Sequence, residues 1–255
     1  MLFSDTTFIG IDPTAGVRPF IYAALDHDRK LLVLNQGDID EVLAFMAGQS
    51  QSIVAICAPQ KPNLGLMANE EFRQNLNPQP FPGRWTNFRL VDYLLRQHNI
   101  RIPQTRSRLE DNPRWMQMGF ILYERLANLG FQCYPDKGAE RQCMEVYPYA
   151  CYAAMLEVLP LKKHTLEGRI QRQLALYECY INVSDPMRIF EEFTRYRLLR
   201  GIVPTDSLYS AGELDAIVAA YSAWLTAFHS DQITLLGDPD EGQIVIPVAE
   251  LKEQY

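Results

Sequence analysis

Short apolar runs and amphipathic stretches alternate along the chain, and their spacing predicts a mixed α/β order. Thr7–Asp12, Arg18–Leu25 and Lys30–Asn35 read as three strands. The polar stretch Asp26-His27-Asp28-Arg29 predicts a hairpin between the second and third, and Pro13–Gly16 a turn between the first and second. Asp38 with Glu41 three residues on has the spacing of a capping box, and Ile39, Val42, Leu43 and Met46 share one helical face. Ser52–Cys57 is continuously apolar, as a strand covered on both faces is. Lys61–Gly83, with four prolines, breaks the pattern and reads as a long irregular loop.

Helical periodicity returns over Thr86–His98 and Pro113–Leu129. Phe131–Tyr134 and Arg141–Tyr147 read as further strands. Helices are predicted over Tyr149–Leu159, Thr165–Tyr180, Pro186–Arg200 and Ala211–Phe228, with Ser210 as a start signal for the last. Gln232–Leu236 and Gln243–Ile246 flank a glycine-containing turn and predict a small terminal hairpin. The expectation is one domain over 1–255, a layered α/β fold with a loop and helical insertion at about 60–130. It lacks the glycine fingerprint and βαβ opening of a dinucleotide fold.

The chain has 255 residues, 47% of them hydrophobic, enough for one large core. No apolar stretch reaches the length of a membrane span, and no secretory signal is visible at the N-terminus. The five cysteines contain no CxxC pair, so reduced thiols and a cytoplasmic location are expected. The net charge of −7 argues against bulk electrostatic binding of duplex nucleic acid. The charge is uneven, however. Eight arginines between Arg84 and Arg125 face four acids, a net +4, while Gly201–Tyr255 has one lysine against nine acids, a net −8. Helices over 149–200 offer apolar surface for a dimer and specify none.

Three carboxylates stand out because each lies in or beside an apolar element, where burial demands a partner. They are Asp12, Glu145 and Asp215. Converging, they would form a divalent-metal site, for Mg²⁺ or Mn²⁺ with hard oxygen ligands. The bland readings are a turn before Pro13 for Asp12, a rim pair with Arg141 for Glu145, and a first-turn helix acid for Asp215. Lys61, Lys163, Arg169 and Arg172 are candidate phosphate contacts, or else a solvated basic face. Cys57 has no histidine placed to activate it and reads as a buried strand-end thiol.

Several motifs occur in an order that resembles a known family. Gly10-Ile11-Asp12 ends the first strand ahead of the hairpin, helix and fourth strand. Ile56-Cys57-Ala58-Pro59, Glu145-Val146-Tyr147-Pro148, Lys163 with Gly168 and Arg172, Asp215-Ala216 to Ala223, Gly237-Asp238 and Ile246-Pro247 follow. This is similar to an uncharacterised family of predicted RNase H-like nucleases, domain of unknown function 429. Where that family has an Asp before Ala-Pro, this chain has Cys57. The resemblance implies an RNase H-like mixed five-stranded sheet flanked by helices, with its acids at the open end of the sheet. It further implies metal-dependent phosphodiester hydrolysis on single-stranded or structured nucleic acid, impaired by Cys57. The alternative is a non-catalytic RNase H-like binding or scaffold module.

Overall fold

A computed structural model describes residues 6–14 and 19–255. Strands β1 (Thr6–Asp12), β2 (Phe20–Leu25) and β3 (Leu31–Gly37) form an antiparallel meander. Arg18 of the expected second strand lies outside the described residues, as do Ala15 and Gly16 of the expected turn. Helix α1 (Ile39–Ala47) opens on the anticipated capping box of Asp38 and Glu41. Strand β4 (Gln51–Ile56) then pairs in parallel with β1, and β6 (Arg141–Val146) in parallel with β4.

Among the described residues the sheet has eight strands in place of the expected five. Two elements account for the difference. The terminal hairpin, β7 (Thr234–Asp238) and β8 (Gly242–Ile246), does not stand apart. Its run Ile244-Val245-Ile246 is fully apolar and buries itself by pairing with the end of β6. The two-residue β5 (Gln132–Cys133) pairs with the start of the same strand. The order is β3-β2-β1-β4-β6-β8-β7, with β5 off that path.

Other boundaries shift for local reasons. The loop after Pro59 contains a short helix, α2 (Glu70–Gln74), capped by Asn69. Helix α3 is shorter than expected (Leu90–Gln97) because Arg89 takes the cap position, and a distant carboxylate, Glu241, accepts from the Leu90 N–H at 2.7 Å. Helix α4 spans Arg114–Asn128 and α5 spans Pro148–Leu156, with Pro148 in the first turn. Helix α6 covers Leu166–Glu178. The expected helix over Pro186–Arg200 is broken into a 3₁₀ turn, α7 (Ile189–Glu192) and α8 (Arg195–Leu199), the last restarted by Thr194, whose hydroxyl accepts from the Arg197 N–H. Helix α9 runs Ala211–Phe228 behind a Ser210–Glu213 capping box. Among the described residues no helix is long and apolar enough to cross a membrane.

Strand alternation divides the core into two layers. Phe8, Ala55, Met144 and Val146 face α5, α6 and α9. Ile9, Ile11, Val54 and Ile56 face α1 and α4. Helix α9 lies closest to the sheet, against β1. Gly10 points at it, and a Cβ built on Gly10 would stand 1.9 Å from the Ala216 carbonyl oxygen and 2.4 Å from the Ala220 nitrogen. The alanines at 216, 219, 220 and 223, all fully buried, complete this close contact. Gly10→Ala therefore forces backbone apart. We expect a stability loss at or above the upper end of about 1–3 kcal/mol in urea unfolding; a change within about 0.5 kcal/mol, as for an ordinary surface site, contradicts the packing.

Candidate functional site

The parallel strands β1, β4 and β6 end together, and a cavity of about 1150 Å³ opens beside their C-terminal ends. Such ends are where open α/β sheets present ligand sites. Asp12 closes β1 and points to the α9 face, because its neighbour Ile11 points to the other. Asp215 enters the same cavity from the second turn of α9. Gly212, three residues ahead of it, matters as well. A side chain at Gly212 would come within 2.5 Å of Ile21 and 3.3 Å of the Asp12 carboxylate, so the bare glycine keeps the approach to Asp12 open.

Lys163, from the loop before α6, donates to the Asp215 carboxylate at 2.6 Å. Burial works against its charge, but Asp215, with Asp12 behind it, outweighs that and holds the ammonium. Asp12 is less well compensated. Burial and then the Asp215 charge raise its pKa from 3.8 to about 6, against a hydrogen bond from the Thr14 N–H at 3.0 Å and the more distant Lys163. Cys57 lies on the same face, just past β4. Its thiol donates to the Asp215 carbonyl at 3.5 Å, and burial followed by both aspartates pushes its pKa well up, so it stays protonated.

Glu145 is not part of this pair. The register sets Ile11 beside Ile56 and Ile56 beside Glu145, so Glu145 shares the Ile11 face, opposite Asp12. It is 2% exposed and bound by fully buried Arg89 through two contacts, at 2.7 and 2.9 Å. Arg89 also holds Asp92 at 3.1 Å, and the Gln60 N–H donates to Glu145 at 2.9 Å. Burial opposes the Arg89 charge, but Glu145 and Asp92 outweigh it and raise its pKa. The expected partner of Glu145, Arg141, instead donates to the Ser50 and Leu129 carbonyls.

The four candidate phosphate contacts separate in the same way. Lys163 and Arg172 line the cavity. Arg172 is 2% exposed, lies over the Tyr152 ring and donates to the Leu161 and Gly168 carbonyls. Arg169 is spent on the Leu208 and Tyr209 carbonyls and anchors the loop before α9. Lys61 donates to the Asp240 carbonyl, away from the cavity. Lys162, His164 and Tyr147, not singled out from the sequence, also line it. Lys162 and His164 flank Lys163 directly, a signal that was present. Among the described residues no group of three or more His, Cys, Asp or Glu side chains is arranged to hold a metal ion.

A family model described as "Protein of unknown function (DUF429)" matches residues 10–241. The chain belongs to this family. Neither a curated protein nor a solved structure matches it. The DUF429 match begins at Gly10 and takes in Asp12, Cys57, Lys163 and Asp215, the residues that meet at the cavity.

Two measurements check these assignments. Arg89→Met leaves Glu145 and Asp92 buried without a counter-charge and should cost about 3–5 kcal/mol, read by chemical denaturation. Asp12 binds its proton more tightly folded than unfolded. Its charge therefore lowers stability as pH rises from about 4 to about 6. Asp12→Asn should accordingly raise metal-free stability at pH 7, by about 1–3 kcal/mol, and flatten the pH dependence across that window.

Proposed function

We propose that this chain hydrolyses phosphodiesters with the help of a divalent cation held by Asp12 and Asp215, on an RNase H-like fold. The observation that carries the reading is the Asp12–Asp215 pair, half-buried Asp12 beside buried Asp215 at the mouth of a large cavity, with its negative charge only partly offset by Lys163. An added cation relieves that excess. The strand order, an antiparallel meander followed by β4 and β6 in parallel beside β1, is consistent with the RNase H-like assignment.

The two carboxylates fit Mg²⁺ or Mn²⁺. Both supply hard oxygens, and Mg²⁺ is commonly held by one or two protein carboxylates with water and substrate phosphate completing its shell. A bound divalent cation supplies activation of water and neutralisation of phosphoryl charge. The protein's own groups do the rest. Lys163, freed from Asp215, receives the phosphate oxygens, while buried Arg172 lines the same cavity and holds the Leu161 and Gly168 carbonyls. Asp12, its pKa raised to about 6 without metal, gives up its proton when the cation binds. The substrate is single-stranded or structured nucleic acid, in keeping with an acidic chain whose basic groups are concentrated locally.

A second reading, a non-catalytic binding or scaffold module, is favoured by two details. Lys163 already neutralises Asp215, and Cys57 stands where the resembled family has an acid. One experiment separates the readings: thermal melts with and without Mn²⁺, together with Mn²⁺-dependent cleavage of bis(p-nitrophenyl) phosphate and single-stranded oligonucleotides. The hydrolase reading predicts a metal-dependent rise in melting temperature and cleavage that falls at least about 100-fold in Asp12→Asn. It predicts metal affinity raised about tenfold or more in Cys57→Asp, through the added ligand charge. A wild type with no shift and no cleavage, in which Cys57→Asp gains a shift, identifies the module.

A further inference from the structure

Away from the cavity, two thiols meet where β5 joins β6. The strands are parallel, and Cys133 lies directly opposite Cys143. Paired residues on parallel strands point to the same face, with the strands about 4.7–4.9 Å apart. That spacing falls inside the range of about 4.4–6.8 Å between Cα atoms that a disulfide needs. The two thiols interact, and their interaction favours charge on Cys133 over Cys143.

The two settings differ. Cys133 is exposed on the short strand, whereas Cys143 is 4% exposed within the layer facing α4. The Cys133 sulfur also accepts from the Gln60 side-chain amide, with the Lys61 ammonium nearby. The Cys143 hydrogen bond, then Gln60 and Lys61, overcome partial burial and hold the Cys133 thiol at about 6, a thiolate at neutral pH. Cys143 is displaced in the opposite direction by the same hydrogen bond and by burial. An accessible sulfur with a protected thiol against it is the arrangement of a redox-sensitive pair. Cys57 and Cys151 are buried, with pKa values pushed up, and lack this arrangement.

We propose that Cys133 and Cys143 form a peroxide-reactive dithiol that closes to a disulfide. The Cys133 thiolate attacks one peroxide oxygen. The O–O bond breaks, hydroxide leaves and is protonated to water, and Cys133 becomes a sulfenic acid. The Cys143 sulfur, giving up its proton, then attacks the Cys133 sulfur. The S–S bond forms, the S–O bond breaks, and the departing hydroxide takes that proton as a second water. In sum, two thiols and one hydrogen peroxide give one disulfide and two waters. The inference is independent of the phosphodiester reading.

The test treats the full chain with hydrogen peroxide in the presence of dimedone, blocks remaining thiols and maps peptides by non-reducing mass spectrometry. Wild type should yield a Cys133–Cys143 cross-link, lighter by the two thiol hydrogens and reopened by dithiothreitol. Cys143→Ser should raise the dimedone adduct on Cys133 severalfold over wild type, and Cys133→Ser should leave Cys143 unmodified. A wild type that accumulates the Cys133 adduct without the cross-link overturns the proposal. So does a Cys143 that reacts as readily without Cys133 as with it.

Discussion

The contact of α9 with β1 at Gly10 governs what this fold presents. A residue without a side chain faces a helix surface of alanines, and backbone meets backbone with no room for a Cβ. That closeness brings the second turn of α9 over the end of β1. Asp215 thereby reaches the same cavity wall as Asp12, more than two hundred positions earlier in the chain. The glycine at 212 serves the same end one turn earlier, where any side chain would crowd Ile21 and Asp12. Two carboxylates in one poorly solvated place repel each other, and Lys163 relieves Asp215 more than Asp12. The strain is thus electrostatic and localised at the cavity mouth, where added positive charge would relieve it.

The opposite face resolves its charges internally. Arg89 gathers Asp92 and Glu145 in full burial, and Glu145 accepts from Gln60 as well. Nearby, Glu241 accepts from the N–H groups of Leu64 and Leu90, tying the turn between β7 and β8 to the long loop and to α3. Removing one member of such a set is costly because the others remain buried and charged. The two clusters lie within a few residues of each other at the end of the sheet yet act differently. One is closed and holds the added hairpin in place. The other is open and short of positive charge.

Most strands were legible from their apolar runs, and α1 and α9 from their capping boxes, since those signals are local. Long-range choices were not. Nothing near Ile244 indicates that β8 pairs with β6 and extends the sheet to eight strands. The 186–200 segment has helical spacing but restarts at Thr194. Among the candidate acids, Asp12 and Asp215 were found because each ends or enters an apolar element. Glu145 carried the same signal and belongs elsewhere, for which face it takes depends on its register with Ile56. Its partner Arg89, distant in sequence, replaced the nearby Arg141. Arg169 and Arg172 share a helix, and only backbone carbonyls, of Leu208 and Tyr209 for the first and of Leu161 and Gly168 for the second, show how each guanidinium is held.

The Asp12–Asp215 pair is the proposed cation site, and calorimetric titration of Mn²⁺ as a function of pH tests it most directly. Binding should strengthen as pH rises through about 6, where Asp12 loses its proton, and should be lost in Asp12→Asn. Affinity that ignores pH across that range, or that survives unchanged in Asp12→Asn, would contradict it.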